Sequence, residues 1–513
     1  GIAAAITAAR EGAKVVLVEP TNHVGGLSTS GINTAESEHM LPWTIGGFAD
    51  EFYRRVGRYY EETKDQQLPL DPKSRLNTFY FFESSVAEKV YLALLREAGV
   101  EIRYGAAVER VAKDGARLTA ITLTDGASIG AKVFIDASYE GDLMARAGVS
   151  YTFGREARSR YDEDAAGVRF DQSPRKATTV DEHGKLLPGI SAWAKDLNEG
   201  DAHPGVMNYN FRLTCTKREG NKVQIPPPAF YDRTRYRLLE NWLRGKAERG
   251  EKVKMDDFLG IYKRRNEKFE VNNQQAAIIS LGDFGAQFGW PDGSYEERAR
   301  IYVEHKEYTL GLLQFLRTEE VVPEYIREEI ASWGFAKDEF PDNGNFPYQL
   351  YVREGRRMKG ATIVTQHDVT NTRRKPDSIG LSSHFIDCHH VQRVALSPTE
   401  FVNEGRIWRI GWAYQIPYRA LTPLAAEATN LLVPGAASYS HVAYCTLRLE
   451  SVWMIAGHAA GVAAATAVRE GKTVQQIDVD ALQEKLRAQK QVVDFIPGQP
   501  ERFEGGSGGN PEF

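Results

Sequence analysis

Small and apolar residues open the chain at helical spacing: Gly1, then Ile2, Ala3, Ala4, Ala5 and Ile6. Gly12 closes that helix as a C-cap, and the apolar run within 14–19 reads as a strand. Residues 79–98 carry the 3.6-residue period of an amphipathic helix and end at Gly99. Alternating positions then predict a hairpin-rich stretch, with turns at Asp114-Gly115 and Asp125-Gly126. A short apolar strand at 133–135 runs into Asp136-Ala137-Ser138-Tyr139-Glu140-Gly141-Asp142. From about 151 to 345 charge and aromatic content rise, and Pro226-Pro227-Pro228 breaks the chain. Within that region WLRGKAERGEKVK and YEERARIYVEHKEYTLGLLQFLRTEE have helical patterns. Strands and loops return from about 346 to 420, and LLVPGA at 431–436 is an apolar strand closed by glycine. SVWMIAGHAAGVAAATAVREG follows as a helix of small residues, with Gly457 and Gly461 placed to press against another backbone.

At 513 residues the chain exceeds the size at which a single core keeps growing, so several domains are expected. Hydrophobic content of 42% and charged content of 26% are those of a soluble globular protein. A net charge of −5 offers no basic field for nucleic acid, which is not expected as a partner. No apolar run approaches the ~20 residues of a membrane span, because Arg448, Glu450 and Arg469 interrupt the last helix. Cys215, Cys388 and Cys445 include no C-x-x-C, which excludes a cysteine-only zinc site and a disulfide-dense scaffold; no metal site is expected. The compartment, cytoplasmic or exported, is left open, as are the electron acceptor and the oligomeric state. The Gly/Ser-rich end, 496–513, is expected to be a flexible tail.

The first nineteen residues match the second half of a dinucleotide-binding βαβ unit, with the first strand and two fingerprint glycines expected before Gly1. The helix N-terminus would offer its N–H groups to a pyrophosphate. Glu19, 18 residues after Gly1, has the spacing of an acid that holds ribose hydroxyls; an ordinary surface Glu has it too. Val24-Gly25-Gly26-Leu27-Ser28-Thr29-Ser30-Gly31 follows, where two glycines permit a tight turn beside a ligand.

Six blocks in order resemble the FAD-dependent oxidoreductase family that includes proteins labelled xanthan-lyase-like. They are VEPTNHVGGLSTSG, FIDASYEGDLMARAGVSYTFGREA, YVREGRRMKG, IDCHHVQRV, IPYRALTP and LLVPGAASYSHVAYCTLRLESVWMIAGHAAG, spread over roughly 1–150 and 345–470. The resemblance implies an α/β fold: an FAD-binding Rossmann-like domain of the two-dinucleotide-binding-domain type, with an inserted, mostly helical plus β substrate domain. Its parts would be 1–150 (first FAD-binding part), 151–345 (inserted cap), 346–425 (β-rich substrate side), 426–495 (last FAD-binding part) and the tail. It further implies that Gly1 is the last fingerprint glycine and that Glu19 holds the adenosine ribose. Gly25, Gly26 and Ser28 would line the pyrophosphate and ribityl path, and Val108 would meet the adenine side through its backbone. Ala137, Ser138 and Gly141 would sit by the pyrophosphate, Gly435 and Ala436 by the ribityl chain, and Arg448 by the flavin.

Flavin carries hydride chemistry, so the protein must place a substrate carbon and handle charge and a proton. Arg448 and Arg419 are candidate cations for the reduced flavin, Arg419 being equally suited to a structural ion pair. His389 is the candidate base, because imidazole suits neutral pH and its neighbour His390 would face the other way on a strand. His441 is the second candidate, as a flavin-side donor. The run Arg353-Glu354-Gly355-Arg356-Arg357 would bind an acidic substrate or phosphates, or form salt bridges. Tyr414 and Tyr418 would wall a pocket or fill the core. Cys445 has no evident partner, which argues against disulfide-reductase chemistry. The expected function is an FAD-dependent dehydrogenase or oxidase acting on a small organic, carbohydrate-derived molecule. The alternatives are an NAD(P)H-using flavin reductase or hydroxylase, and a non-catalytic scaffold without FAD.

Overall fold

The computed structural model describes residues 1–34, 36–63, 80–170, 173–409 and 411–502. Its first helix, Ile2–Arg10, buries Ala3, Ala4, Ala5, Ile6, Thr7 and Ala8. The small side chains lie against the helix Glu450–Glu470. A Cβ on Gly461 would stand 2.2 Å from Thr7 Oγ1 and 2.3 Å from the Ala4 carbonyl oxygen, so only glycine permits this approach. Thr7 Oγ1 also donates to the His458 carbonyl at 3.1 Å, tying the two helices together.

By length and composition Glu450–Glu470 could cross a membrane, contrary to the expectation that charged residues cut it short. Its 18-residue apolar window is 89% buried within the fold, against protein rather than lipid.

Two parallel strand pairs flank the first helix. Val16–Glu19 pairs with Glu101–Tyr104, and Phe134–Ile135 pairs with Leu431–Leu432. Parallel neighbours need long crossovers, so residues far apart in sequence end at adjacent strand tips. Gly1 lies between the pairs: a Cβ there would be 3.6 Å from Leu17 and 3.8 Å from Ala137. The expected hairpins form a three-stranded antiparallel meander, Val108–Asp114, Arg117–Leu123 and Ser128–Gly130. Its turns use Gly115 and Gly126 at positive φ. The helix expected over 79–98 spans Ser84–Glu97, with Gly99 just beyond it at φ 68°; Phe79 lies outside the described residues.

The middle of the chain contains more sheet than its periodicity indicates. Five antiparallel strands run in the order Lys222–Gln224, Gly334–Ala336, Leu213–Thr216, Lys268–Asn273, Leu259–Lys263. They are three to six residues long, too short for alternation to stand out. The expected helices are present as Arg237–Glu248 and Tyr295–Thr318, the second opened by a capping box between Ser294 and Glu297. A second sheet joins strand Ala192–Trp193 in parallel to Gln392–Ser397. Of the predicted tail, residues from 503 onward lie outside the described set.

Candidate functional site

The strand tips gather most of the predicted nucleotide-binding residues. Gly25 and Gly26 have φ of 111° and 59°, and lead into the short helical turn Gly26–Thr29. A Cβ on Gly26 would fall 2.2 Å from the Tyr139 hydroxyl, and one on Gly435 would fall 2.5 Å from the Ser138 carbonyl oxygen. One on Gly141 would fall 3.0 Å from Ala436. Gly1, Gly26, Ala137, Ser138, Gly141, Gly435 and Ala436 thus share one patch of closely approaching backbone and small side chains. Ser28 Oγ is buried and faces the Tyr91 hydroxyl. The patch fits the FAD implied by the resemblance: close-packed glycines and a helix N-terminus suit a dinucleotide.

Glu19 accepts from the Thr21 N–H at 2.9 Å and from its hydroxyl at 2.8 Å, and burial raises its pKa. Val108 is on the meander, where its carbonyl accepts from the Tyr295 hydroxyl at 2.8 Å. Two residues of the patch escaped the sequence reading. Tyr139 donates to Glu450 at 2.7 Å and accepts from the Leu27 N–H at 3.0 Å, and burial pushes Glu450 up to about 7.

A second cluster is built from buried charge. Arg448, at the end of helix His441–Leu447, donates to Asp387 Oδ2 at 2.8 Å and to the Tyr351 hydroxyl at 3.0 Å. His389 Nε2 stands 3.7 Å from the same Asp387 carboxylate, and its Nδ1 meets the Gln275 amide at 2.5 Å. Burial, with Arg353 and Arg448 nearby, lowers the His389 pKa well below the ordinary value, so the ring is neutral at pH 7. His390 turns elsewhere, toward Phe284.

Arg353 lies over the Tyr351 ring at 4.3 Å and donates to the Asn208 carbonyl at 2.7 Å and to Asn210 Oδ1 at 2.5 Å. Its Nε has no partner, and among the described residues no carboxylate pairs with it. The rest of its run is salt-bridged: Arg356 to Asp142 and Asp292, Arg357 to Glu156 and Glu354. Within the run, Arg353 alone has no carboxylate partner among the described residues.

Arg419 does not join this cluster. Its side chain is 58% exposed and pairs with Asp377 at 3.0 Å, the structural ion pair that the sequence also allowed. Tyr414 and Tyr418 are core residues, bonded to Thr446 at 2.8 Å and to the Val474 carbonyl at 2.7 Å.

His441 takes part in a third group. Its Nδ1 meets Glu354 Oε1 at 2.8 Å, and its Nε2 lies 3.3 Å from Cys388 Sγ. Although burial opposes it, Glu354 and the Cys388 sulfur raise the His441 pKa to about 10. Cys445, four residues along the same helix, completes the group. The expectation that Cys445 lacks a second cysteine is therefore corrected: strand Ile386–Cys388 carries one to it across the fold.

No curated protein matches the chain. Among solved structures, FqzB is 15% identical over 32% of this chain and 40% of its own, with a TM-score of 0.21. THI4 of Thermovibrio ammonificans is 18% identical over 30% of this chain and 61% of its own, with a TM-score of 0.20. This chain therefore spans less than two thirds of either. The Diels-Alderase PyrE3 is 12% identical over 64% of this chain and 66% of its own, with a TM-score of 0.25. A family model described as FAD dependent oxidoreductase matches residues 1–486, nearly the whole chain. The chain belongs to the FAD dependent oxidoreductase family, and its cofactor is FAD.

Proposed function

We propose that the protein oxidises a small, polar hydroxy compound of the carbohydrate class by removing a hydride, with His389 taking the accompanying proton. The observation that carries this reading is a neutral, buried imidazole between Gln275 and Asp387, in a cluster that also holds the uncompensated Arg353. When bound, FAD supplies the two-electron acceptor. Gly1, Glu19, Gly25, Gly26, Ser28, Ala137, Ser138, Gly141, Gly435 and Ala436 would hold it, with Val108 toward the adenine.

His389 would serve as the general base. Its low pKa leaves the ring unprotonated before reaction, and the Asp387 carboxylate would steady the imidazolium that forms. Arg448 pairs with Asp387, and with Arg353 added the cluster has one cation in excess, which would offset the negative charge that reduction adds to a bound flavin. Arg353 provides a site for an anionic or strongly polar substrate group, which favours a sugar acid over a neutral sugar.

The test is anaerobic single-turnover reduction of the holoenzyme by candidate sugar acids. His389→Ala should keep its flavin and reduce it about 10²–10⁴-fold more slowly. An unchanged rate would remove His389 from the reaction. Rapid bleaching of the flavin by NAD(P)H alone would favour the reductase or hydroxylase alternative.

A further inference from the structure

Cys388, His441 and Cys445 are all fully buried, and their donor atoms lie within 4.8 Å of one another. His441 and Cys445, four apart on one helix, share a face, and Cys388 approaches from the strand end. We propose that these three side chains form a zinc site of Cys₂His type, separate from hydride chemistry.

Ligand chemistry, spacing and support all bear on this. Two sulfurs and an imidazole are the donors that zinc takes most readily. Zinc bonds of about 2.3 Å to sulfur and about 2.0 Å to nitrogen put neighbouring donors of a tetrahedron about 3.5 Å apart. Cys388 Sγ and His441 Nε2 are already 3.3 Å apart, so an ion enters with small side-chain movements.

The supporting shell has the form of a metal site. A ligating histidine is commonly fixed by a carboxylate on its other nitrogen. Glu354 holds His441 Nδ1 at 2.8 Å and leaves Nε2 facing the sulfur. Arg357 holds Glu354 in turn, and the His441 N–H is anchored by Glu156 at 2.9 Å. The ligand charges balance, two thiolates against a divalent ion, and Arg357 is shared between Glu354 and Glu156 behind them. The competing partners of the sulfurs are weak. Cys388 reaches only the His389 and Gly405 carbonyls, and Cys445 the His441 carbonyl, each at 3.3 Å. Three protein ligands leave a fourth position, as in zinc sites that bind an exchangeable group.

The experiment uses the full flavoprotein, purified without chelator. Metal analysis should find about one zinc per chain. After chelation, titration with cobalt(II) should give one-to-one binding, with tetrahedral cobalt–thiolate bands at wavelengths longer than the flavin absorbs. Cys388→Ser and Cys445→Ser should each lose those bands while keeping their flavin. Glu354→Gln should bind cobalt about 10–100-fold more weakly. Substoichiometric zinc together with absent cobalt bands would overturn the proposal, as would cobalt binding that survives Cys388→Ser. A Cys388–Cys445 disulfide in the purified protein, found by mass spectrometry, would overturn it in favour of a redox pair. The wild-type measurements decide the matter even if a variant fails to fold.

Discussion

Arg353 is the residue whose environment asks most for an explanation. A buried guanidinium without a counter-ion is costly, and burial together with Arg448 and Arg212 pulls its pKa down to about 9. The cost makes sense if an anionic group of the substrate completes the site. Replacing a buried charge by an apolar side chain of similar volume is often neutral or stabilising. Arg353→Met should therefore melt no lower than wild type, while KM for the acidic substrate rises about thirtyfold, equivalent to about 2 kcal/mol. Thermal melts and steady-state kinetics on the same preparation check both halves; an unchanged KM would leave Arg353 a structural oddity. None of this was legible in the sequence, where Arg353 stands among three acid–base neighbours and looks like part of a salt-bridged run. What separates it from Arg356 and Arg357 is which carboxylates the fold delivers, Asp142, Asp292 and Glu156, all more than sixty residues away. The Cys388–His441 approach was hidden in the same way, by a sequence separation of 53. Glycines were the opposite case: Gly25, Gly26 and Gly435 announced close backbone approach because no other residue tolerates it.

Elements differ in how much their local pattern says. The two small-residue helices, Ile2–Arg10 and Glu450–Glu470, were readable because close packing demands Ala and Gly along a whole face. Their contact also sets the first helix beneath the nucleotide patch, so it links stability to cofactor binding. Gly461→Ala places a methyl group against the Ala4 carbonyl, a backbone atom that cannot rotate away. Overpacking of this kind costs about 1–3 kcal/mol. The variant should melt several degrees lower and release FAD more readily, as measured by flavin retention on gel filtration. Gly12→Ala, where a Cβ meets nothing within 4 Å, separates overpacking from φ strain: it should lower the melt less and leave FAD retention unchanged. The five-stranded sheet was not legible, because its strands get their identity from neighbours. Leu213–Thr216 is wholly buried between two partners, yet its apolar–polar alternation runs for only four residues, too few to mark a strand in the sequence.

At the scale of the molecule, buried ion pairs join the N-terminal segment to that central sheet. Arg212 bonds Glu36 at 2.8 Å and also reaches Glu270, which is held in turn by Arg264 at 2.7 Å. Lys268 similarly connects Glu83 and Glu339. These links make stability depend on acid. Burial alone would raise the Glu36 pKa, but Arg212, with His384 and Arg448 behind it, depresses it from 4.5 to about 2. A carboxyl group depressed on folding stabilises the native state fully above its unfolded pKa, and the contribution disappears as pH falls through the folded value. For Glu36 the window runs from about 4.5 down to about 2, and the contribution is at most about 3 kcal/mol. Glu36→Gln should thus be less stable than wild type at pH 7 in urea unfolding. The gap should narrow as pH is lowered through that window and close near its acidic end, where wild-type Glu36 is itself protonated. A gap that stayed constant with pH would mean that the substitution acts through packing or the Glu36 backbone, held at φ 57°, and not through the Arg212 pair.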